Sequence, residues 1–294
     1  MDIIKCNALL LSVELGSISS AADRLGYTAS GVNRMINAIE EELGFAVLAR
    51  TNKGVAITKD GENILPALYQ MRNCNEQIKQ ISAQIKGSEY GQIRVGTIYS
   101  IASAWLPEIL MKFQKQYTKI KVDIVEGNRE YLKKMLENGM IDVCFFSDGE
   151  DADIWIPIKK DAMVVWAPDQ PEFARKEVFP IADIEKYPFV YTLHNKYTDT
   201  GRLFDKHQIK ADIRYYTDDN YTSYRMVEAG LGISVNNELM ASNWNGKVKI
   251  LPLEPACFVT LGLGMNKTVM RMPAVRKFVE CVEKATVEED GFFI

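Results

Sequence analysis

The apolar positions of this chain change period several times along its length. Over residues 3–15, IIKCNALLLSVEL, they recur at helical spacing at Ile4, Leu9, Leu11 and Leu15, and Gly16 ends the run. SSAADRL predicts a short second helix, with Ser17 or Ser19 able to cap it and Gly26 to stop it. Ala21 and Ala22 within it are small, which lets a crossing helix come close. Thr28 can cap a third helix, ASGVNRMINAIEEELG, that ends at Gly44. Its apolar stripe is Val32, Ile36, Ile39 and Leu43, while Ala29, Ser30, Asn33, Arg34 and Asn37 fall mainly on the other side. VLARTNKGVAIT then gives two short β-like runs around a TNKG turn, a hairpin by its turn chemistry.

From Thr58 a long helix is predicted to about Lys86. Its apolar residues Ile64, Leu68, Met71, Cys74, Ile78, Ile81 and Ile85 are spaced by three and four, with a slip at 71–74. Some 27 residues at ~1.5 Å each make a rod of about 40 Å. A rod with one apolar seam needs cover, either from the same helix of a second chain or from the chain's own body. Gly87 and Gly91 break it. Beyond them short apolar runs alternate with helices: IRVGTIYS, AWLPEILMKFQKQY, KVDIVEG, a helix through Tyr131–Glu137, then IDVCFFS. This is an α/β pattern with a largely buried sheet. A second unit of the same texture starts near Ala162 with MVVWAPDQP and YPFVYTL, and includes VEAGLGISV, where Gly230 and Gly232 permit a tight helix-to-strand turn. MPAVRKFVECVEKA closes the pattern as a helix, with Pro273 near its first turn and Val275, Phe278, Val279 and Val282 on one face.

Composition narrows the class. At 294 residues, 47% hydrophobic and 25% charged, the chain suits about two ordinary globular domains. The start lacks a basic leader with a small-residue cleavage site, and no stretch reaches the ~20 apolar residues of a membrane span, so a cytoplasmic location without a membrane partner is expected. Cys6, Cys74, Cys144, Cys257 and Cys281 form no CxxC pair, which suggests reduced thiols. Cys144, inside IDVCFF, reads first as a core thiol and second as a redox sensor. His194 and His207 are too few for a multi-histidine metal site, and no cofactor is expected.

The net charge of −4, and a near-neutral first sixty residues, speak against nucleic acid on charge alone. The pattern speaks for it. A short helix, a tight turn and a helix with a polar N-terminal face form a helix-turn-helix, whose second helix fits the major groove. Asn and Arg there can make bidentate contacts to base edges, and Ser can reach phosphate or base. The candidate DNA-contacting set is Ser19, Thr28, Ala29, Ser30, Asn33, Arg34, Asn37, Arg50 and Lys53, the last two at the hairpin tip, where a wing meets the sugar-phosphate backbone. A plain three-helix domain with a solvated polar face would share the spacing but not the wing.

The segment ELGSISSAADRLGYTASGVNRMINAIEEELGFAVLARTNKGVAITKDG resembles the N-terminal signature of LysR-type transcriptional regulators. The matched positions are Gly16-Ser17, Ala21-Ala22, Leu25, Ser30, Val32, Ile36, Glu40, Leu43-Gly44, Arg50, Thr58 and Gly61. The chain departs from that family at Ala29, where Gln is frequent, at Asn33, where Ser is frequent, and at Val47-Leu48, where Leu-Phe is usual. Ala29 removes a frequent base-contacting side chain, which implies an unusual operator. The second half is also similar to the family's effector domain, at the loop after Gly96, Trp105-Leu106-Pro107, Glu126-Gly127, Gly139-x-Ile141-Asp142 and the AGLGI stretch.

The resemblance implies a multidomain α+β chain: an N-terminal winged helix-turn-helix (1–58), a long linker helix for dimerisation (59–88), and a two-lobed α/β, periplasmic-binding-protein-like effector domain (89–294). Lobe I is expected to hold 89–161 and 266–294, and lobe II 162–265. It implies a homodimer or homotetramer on a pseudo-palindromic operator, with double-stranded DNA, a small-molecule effector and RNA polymerase as candidate partners. Family position points to the loop Thr97–Ile101, with Thr97 and Ser100 as hydroxyl donors beside a helix start that favours an anionic group, and Tyr99 and Ile101 between. Asn128, Ser147, Tyr191, Thr192 and Asn220 are expected across the cleft. Two rivals share the α/β half: a solute-binding protein, and an enzyme. The chain carries no GxSxG elbow, P-loop or strand-borne GxGxxG for the second.

Overall fold

The structure, a computed structural model, describes residues 1–52, 54–149, 152–192 and 198–288. Short-range capping chemistry sets its first elements. α1 (Ile3–Leu15) starts where the Asp2 carboxylate accepts from the amides of Ile4 and Lys5, and stops at Gly16 in the left-handed conformation. Ser17 caps α2 (Ile18–Leu25) by accepting from the Ser20 amide; Ser19 lies exposed in its first turn. Thr28 caps α3 (Ala29–Leu43) in the same way through the Gly31 amide at 3.1 Å.

The apolar face of α1 differs from the expected stripe. Cys6, Ala8, Leu9 and Leu10 are buried against α3 and the start of the rod, whereas Ile4 and Leu15 are exposed and Leu11 is half-buried. This helix is apolar on nearly all sides, so periodicity offered two faces and packing chose the other. On α3 the stripe Val32, Ile36 and Ile39 is buried as its spacing predicts.

β1 (Leu48–Thr51) and β2 (Gly54–Ile57) form the hairpin. Glu40 of α3 anchors it by accepting from the amides of Val47 and Leu48 at 2.7 and 2.9 Å. The Val55 amide donates to the Gly16 carbonyl at 2.9 Å, and a Cβ on Gly54 would lie 2.2 Å from that same oxygen, so only glycine fits there.

The rod α4 (Lys59–Ile85) begins at its Thr58 cap and splits into two halves by burial. Leu68 and Tyr69 join the core of the head, while Ile78 and Ile85, at 67% and 81% exposure, are bare. Gln80 between them is buried. Its amide nitrogen donates to the Gln92 carbonyl, and its oxygen accepts from the Ala274 amide, tying the rod to the body.

The body is two α/β lobes sharing one long strand. The first holds β3 (Gly91–Thr97), α5 (Tyr99–Ala104), α6 (Leu106–Gln116), β4 (Ile120–Glu126), α7 (Arg129–Glu137) and β5 (Val143–Ser147). β3 runs parallel to both β4 and β5. β6 (Ile154–Pro168) is the shared strand. The second lobe adds α8 (Pro171–Ala174), β7 (Phe179–Pro180), β8 (Pro188–Thr192), α9 (Asp199–His207), β9 (Asp212–Thr217), α10 (Asn220–Glu228), β10 (Ser234–Asn237) and β11 (Val248–Glu254). β12 (Phe258–Met265) and α11 (Pro273–Glu288) end the described fold.

β12 lies antiparallel between β5 and the first half of β6, whereas β10 and β11 pair with its second half. Leu261–Met265 pairs with β5, which puts this stretch in the first lobe, so the chain is back there by Leu261 and not at 266 as the sequence reading has it. A strand's apolar run does not say which sheet it joins. α11 then packs on β3, α6 and the rod, with Val275, Phe278 and Val282 buried. Cys144 is buried in the first lobe, and burial pushes its thiol pKa far up, as suits a core residue. Among the described residues no helix is long and apolar enough to cross a membrane, and no cluster of three or more His, Cys, Asp or Glu could hold a metal. His207 sits 3.8 Å from the Cys257 sulfur, and His194 lies outside the described residues.

Where β6 passes from one lobe to the other, Asp161 is buried. Its Oδ1 accepts from the Leu239 amide at 3.3 Å and its Oδ2 has no partner. Burial, helped by the nearby Glu238 carboxylate and opposed by the Leu239 amide and Lys159, pushes its pKa from 3.8 up to about 6. A carboxyl whose folded pKa is raised destabilises the fold once ionised, so its contribution worsens as pH climbs from about 4 through 6. Thermal melts of Asp161→Asn are therefore expected to show a Tm advantage over the wild type that grows across that window. An advantage that is absent or that shrinks with pH would contradict this.

Candidate functional site

Two surfaces carry chemistry, one on the head and one between the lobes. On the head, Thr28, Ala29, Ser30, Arg34 and Asn37 lie exposed along the start and outer face of α3, and Asn33 is half-buried beside them. Arg50 of the wing donates from Nη2 to the Asn33 Oδ1 at 3.0 Å, so the wing and the recognition helix present one continuous polar face. The Thr28 hydroxyl, besides capping α3, lies 3.1 Å from that of Ser30. Ser19 is exposed on α2, and Lys53 lies outside the described residues. A width-matched helix bearing Asn and Arg beside a basic wing is chemistry suited to a DNA groove.

Between the lobes is a cavity of about 260 Å³. Most of its wall comes from the carboxyl ends of strands, where an open α/β sheet leaves its loops free to gather. The first lobe supplies Ile98, Tyr99 and Ser100 after β3, Glu126 to Arg129 after β4, and Ser147 at the end of β5. The second supplies Thr192 at the end of β8, Thr198 to Thr200 at the start of α9, Asp218 to Asn220 after β9, and Asn236 and Asn237 at the end of β10.

Of the residues expected from sequence, the structure brings Tyr99, Ser100, Asn128, Ser147, Thr192 and Asn220 to this cavity. Three others sit behind its wall. Thr97 is buried and donates to the Ile98 carbonyl, Ile101 is in the core, and the Tyr191 ring packs edge-on against Phe189 and Phe204. Strand alternation accounts for Tyr191, since consecutive residues face opposite ways and Thr192 took the cavity.

Residues that the sequence reading missed complete the site. Arg129 donates to the carbonyls of Ser147 and Asp148. Arg202 of α9 donates to the Ser147 hydroxyl at 3.1 Å and to Asp148 Oδ2 at 3.0 Å, and also pairs with Asp199. The Ser147 hydroxyl in turn donates to Asp199 Oδ1 at 2.6 Å. The bonds of Ser147 and Asp148 with Asp199 and Arg202 cross from the first lobe to the second and latch the cleft. Asn236 and Asn237 had a readable signal, because two amides closing the apolar run GISV mark a strand end aimed at something polar. Asp199 and Arg202 had none, standing more than fifty residues from Ser147.

Polar groups with no partner also converge here. Ser100 Oγ, Thr192 Oγ1 and Asn237 Nδ2 are buried and have no hydrogen-bond partner among the described residues. Buried polar groups are nearly always paired, so three along one cavity point to a ligand that pairs them.

Both halves of the chain match known families. Residues 6–62 match the family described as "Bacterial regulatory helix-turn-helix protein, lysR family", and residues 86–286 match "LysR substrate binding domain". The chain belongs to the LysR family. A relative from Bacillus subtilis (strain 168), the uncharacterized HTH-type transcriptional regulator YvbU, is 26% identical over 97% of this chain and 98% of its own. Among solved structures, a full-length OxyR variant from Pseudomonas aeruginosa has a TM-score of 0.76 at 17% identity, covering 96% of this chain and 95% of that one. Full-length CbnR complexed with its target DNA has a TM-score of 0.67 at 16% identity, covering 97% and 100%. This LysR-type chain is thus a DNA-binding transcription regulator with a substrate-binding-type domain, and the relatives are named as regulators rather than enzymes.

The latch and the orphan groups should answer differently to substitution without ligand. Thr192→Val deletes an unpaired buried hydroxyl and is expected to leave Tm unchanged or raise it. Ser147→Ala deletes bonded partners and is expected to cost about 1–3 kcal/mol. Equal losses in the two melts would show that the Thr192 hydroxyl is already paired.

Proposed function

We propose that this LysR-type regulator holds a pseudo-palindromic operator through paired heads and senses a small molecule in the interlobe cleft. The observation that carries the sensing half is the convergence of buried, unpartnered Ser100, Thr192 and Asn237 on one cavity between latched lobes. The DNA half is supported by the continuous face of α3 and wing. In this reading Ser30, Asn33, Arg34 and Asn37 face base edges, while Ser19, Thr28, Arg50 and Lys53 serve the phosphates. Ala29 removes one hydrogen-bonding side chain from that set.

Self-association fits the bare half of α4. Ile78, Ile81 and Ile85 form an exposed apolar seam, and covering it with the same seam of a second chain places two heads for successive groove faces. A tetramer of two such dimers extends the same logic. Cytoplasmic residence and contact with RNA polymerase belong to this reading as well. An effector acts only through unequal affinity for two arrangements, and the Ser147–Asp199–Arg202 latch is a contact that can differ between them.

Footprinting on the DNA upstream of the protein's own gene, across a salt series, tests the proposal. A two-fold symmetric footprint that weakens with salt is expected. Arg34→Ala should cost about 1–3 kcal/mol and relax the base preference, whereas Arg50→Ala should weaken all sequences and take about one unit from the salt slope. Absence of protection at low salt, on that DNA and on a random-site library, would overturn the operator claim.

A further inference from the structure

We infer that the ligand of this cleft carries a protonated amine. The inference rests on the effector reading above and names the chemistry of its ligand. The helix start at Tyr99 suggests an anion from sequence, but the charges around the cavity run the other way. Among the described lining residues, Glu126, Asp199, Asp218 and Asp219 face a single guanidinium, that of Arg129. Arg129 donates to two carbonyls behind Ser147 and Asp148, and Asp199 is answered by Arg202. Glu126, Asp218 and Asp219 have no ion-pair partner among the described residues; Asp219 only caps α10 through the Thr222 amide.

These three carboxylates come from opposite lobes, Glu126 from the end of β4 and the aspartates from the end of β9. A cation between them would be attracted to both lobes and would favour the closed cleft. An anion there would meet repulsion on both sides, from carboxylates that stand exposed at the cavity's rim. A neutral ligand would gain nothing from these charges.

The deeper wall supplies the independent observation. Ser100 Oγ, Thr192 Oγ1 and Asn237 Nδ2 are buried to 100%, 91% and 95% by residue and lack partners, so the cavity expects a polar ligand and not an apolar one. Tyr99 adds an aromatic ring to the lining, in contact with Trp244 at 5.8 Å, and a ring face attracts a cation. The site therefore offers hydrogen bonds at its floor and negative charge at its rim. A small amine with a second polar end satisfies both.

The test is calorimetric titration of the full-length protein with three amines, putrescine, L-ornithine and 4-aminobutyrate. Each is run beside an amine-free counterpart, 1,4-butanediol, glutarate and butyrate. Binding of at least one amine is expected, well above its counterpart and falling by tenfold or more in Glu126→Gln and in Asp218→Asn. Both variants should melt in a single transition at the wild-type Tm, which reports an intact fold. Tighter binding of a counterpart would overturn this inference and leave the effector reading standing. Amine binding that both variants retain in full would also overturn it. Binding by none of the six probes would count against the effector reading itself and against this inference with it.

Discussion

Arg94 reaches from the middle of β3 to a carboxylate that has no water to turn to. Asp142 is fully buried, and its oxygens accept from the Arg94 backbone amide at 2.7 Å and from Nε and Nη2 of the Arg94 guanidinium at 3.3 and 2.9 Å. The same Nη2 donates to Asn73 of the rod at 2.6 Å, and Asn73 donates back to the Gly139 carbonyl at 3.0 Å. Removing either charge would strand the other in a low-dielectric interior, at about 3–5 kcal/mol. The Gly139-x-Ile141-Asp142 turn, the rod and β3 are therefore held as one joint. One residue before Asn73, Arg72 pairs with Glu14 of α1 at 2.6 Å and stacks over Tyr69, so the head is fastened to the same stretch of helix.

That joint gives the cleft a mechanical address. β3 leaves Arg94 at its centre and delivers Tyr99 and Ser100 to the cavity a few residues later. β5 begins just after Asp142 and delivers Ser147 to the latch. Two of the three strands that carry first-lobe cavity residues thus pass through or start beside the contact that fixes the rod. β5, paired with β3, connects the latch, where Ser147 meets Asp199 and Arg202, to the place where head and body join. The physical warrant for a response at the DNA is this shared anchoring.

Much of the head was legible because its determinants are local. Ser17, Thr28 and Thr58 each cap the helix that their position in the sequence predicts, and Gly16, Gly26 and Gly44 end the three short helices with positive φ. Six of the residues that the family resemblance implied for the cleft also reach the cavity, at or just after the ends of strands. What stayed hidden depended on long-range choices. The buried face of α1 was decided by packing, since the helix offers apolar residues all round. β12 joins β5 by a pairing across more than a hundred residues. Asp199 and Arg202 matter only because α9 meets the end of β5, which no local pattern announces.

The central claim is that the state of the cleft sets how the heads meet DNA. The most direct measurement compares operator affinity in wild type and in Arg202→Gln, a substitution in the second lobe that weakens the latch and touches neither rod nor head. Coupling between the sites predicts a change of about 5-fold or more, the low end of a 1–3 kcal/mol allosteric coupling. An unchanged affinity and footprint, with the fold intact by melting, would contradict the account.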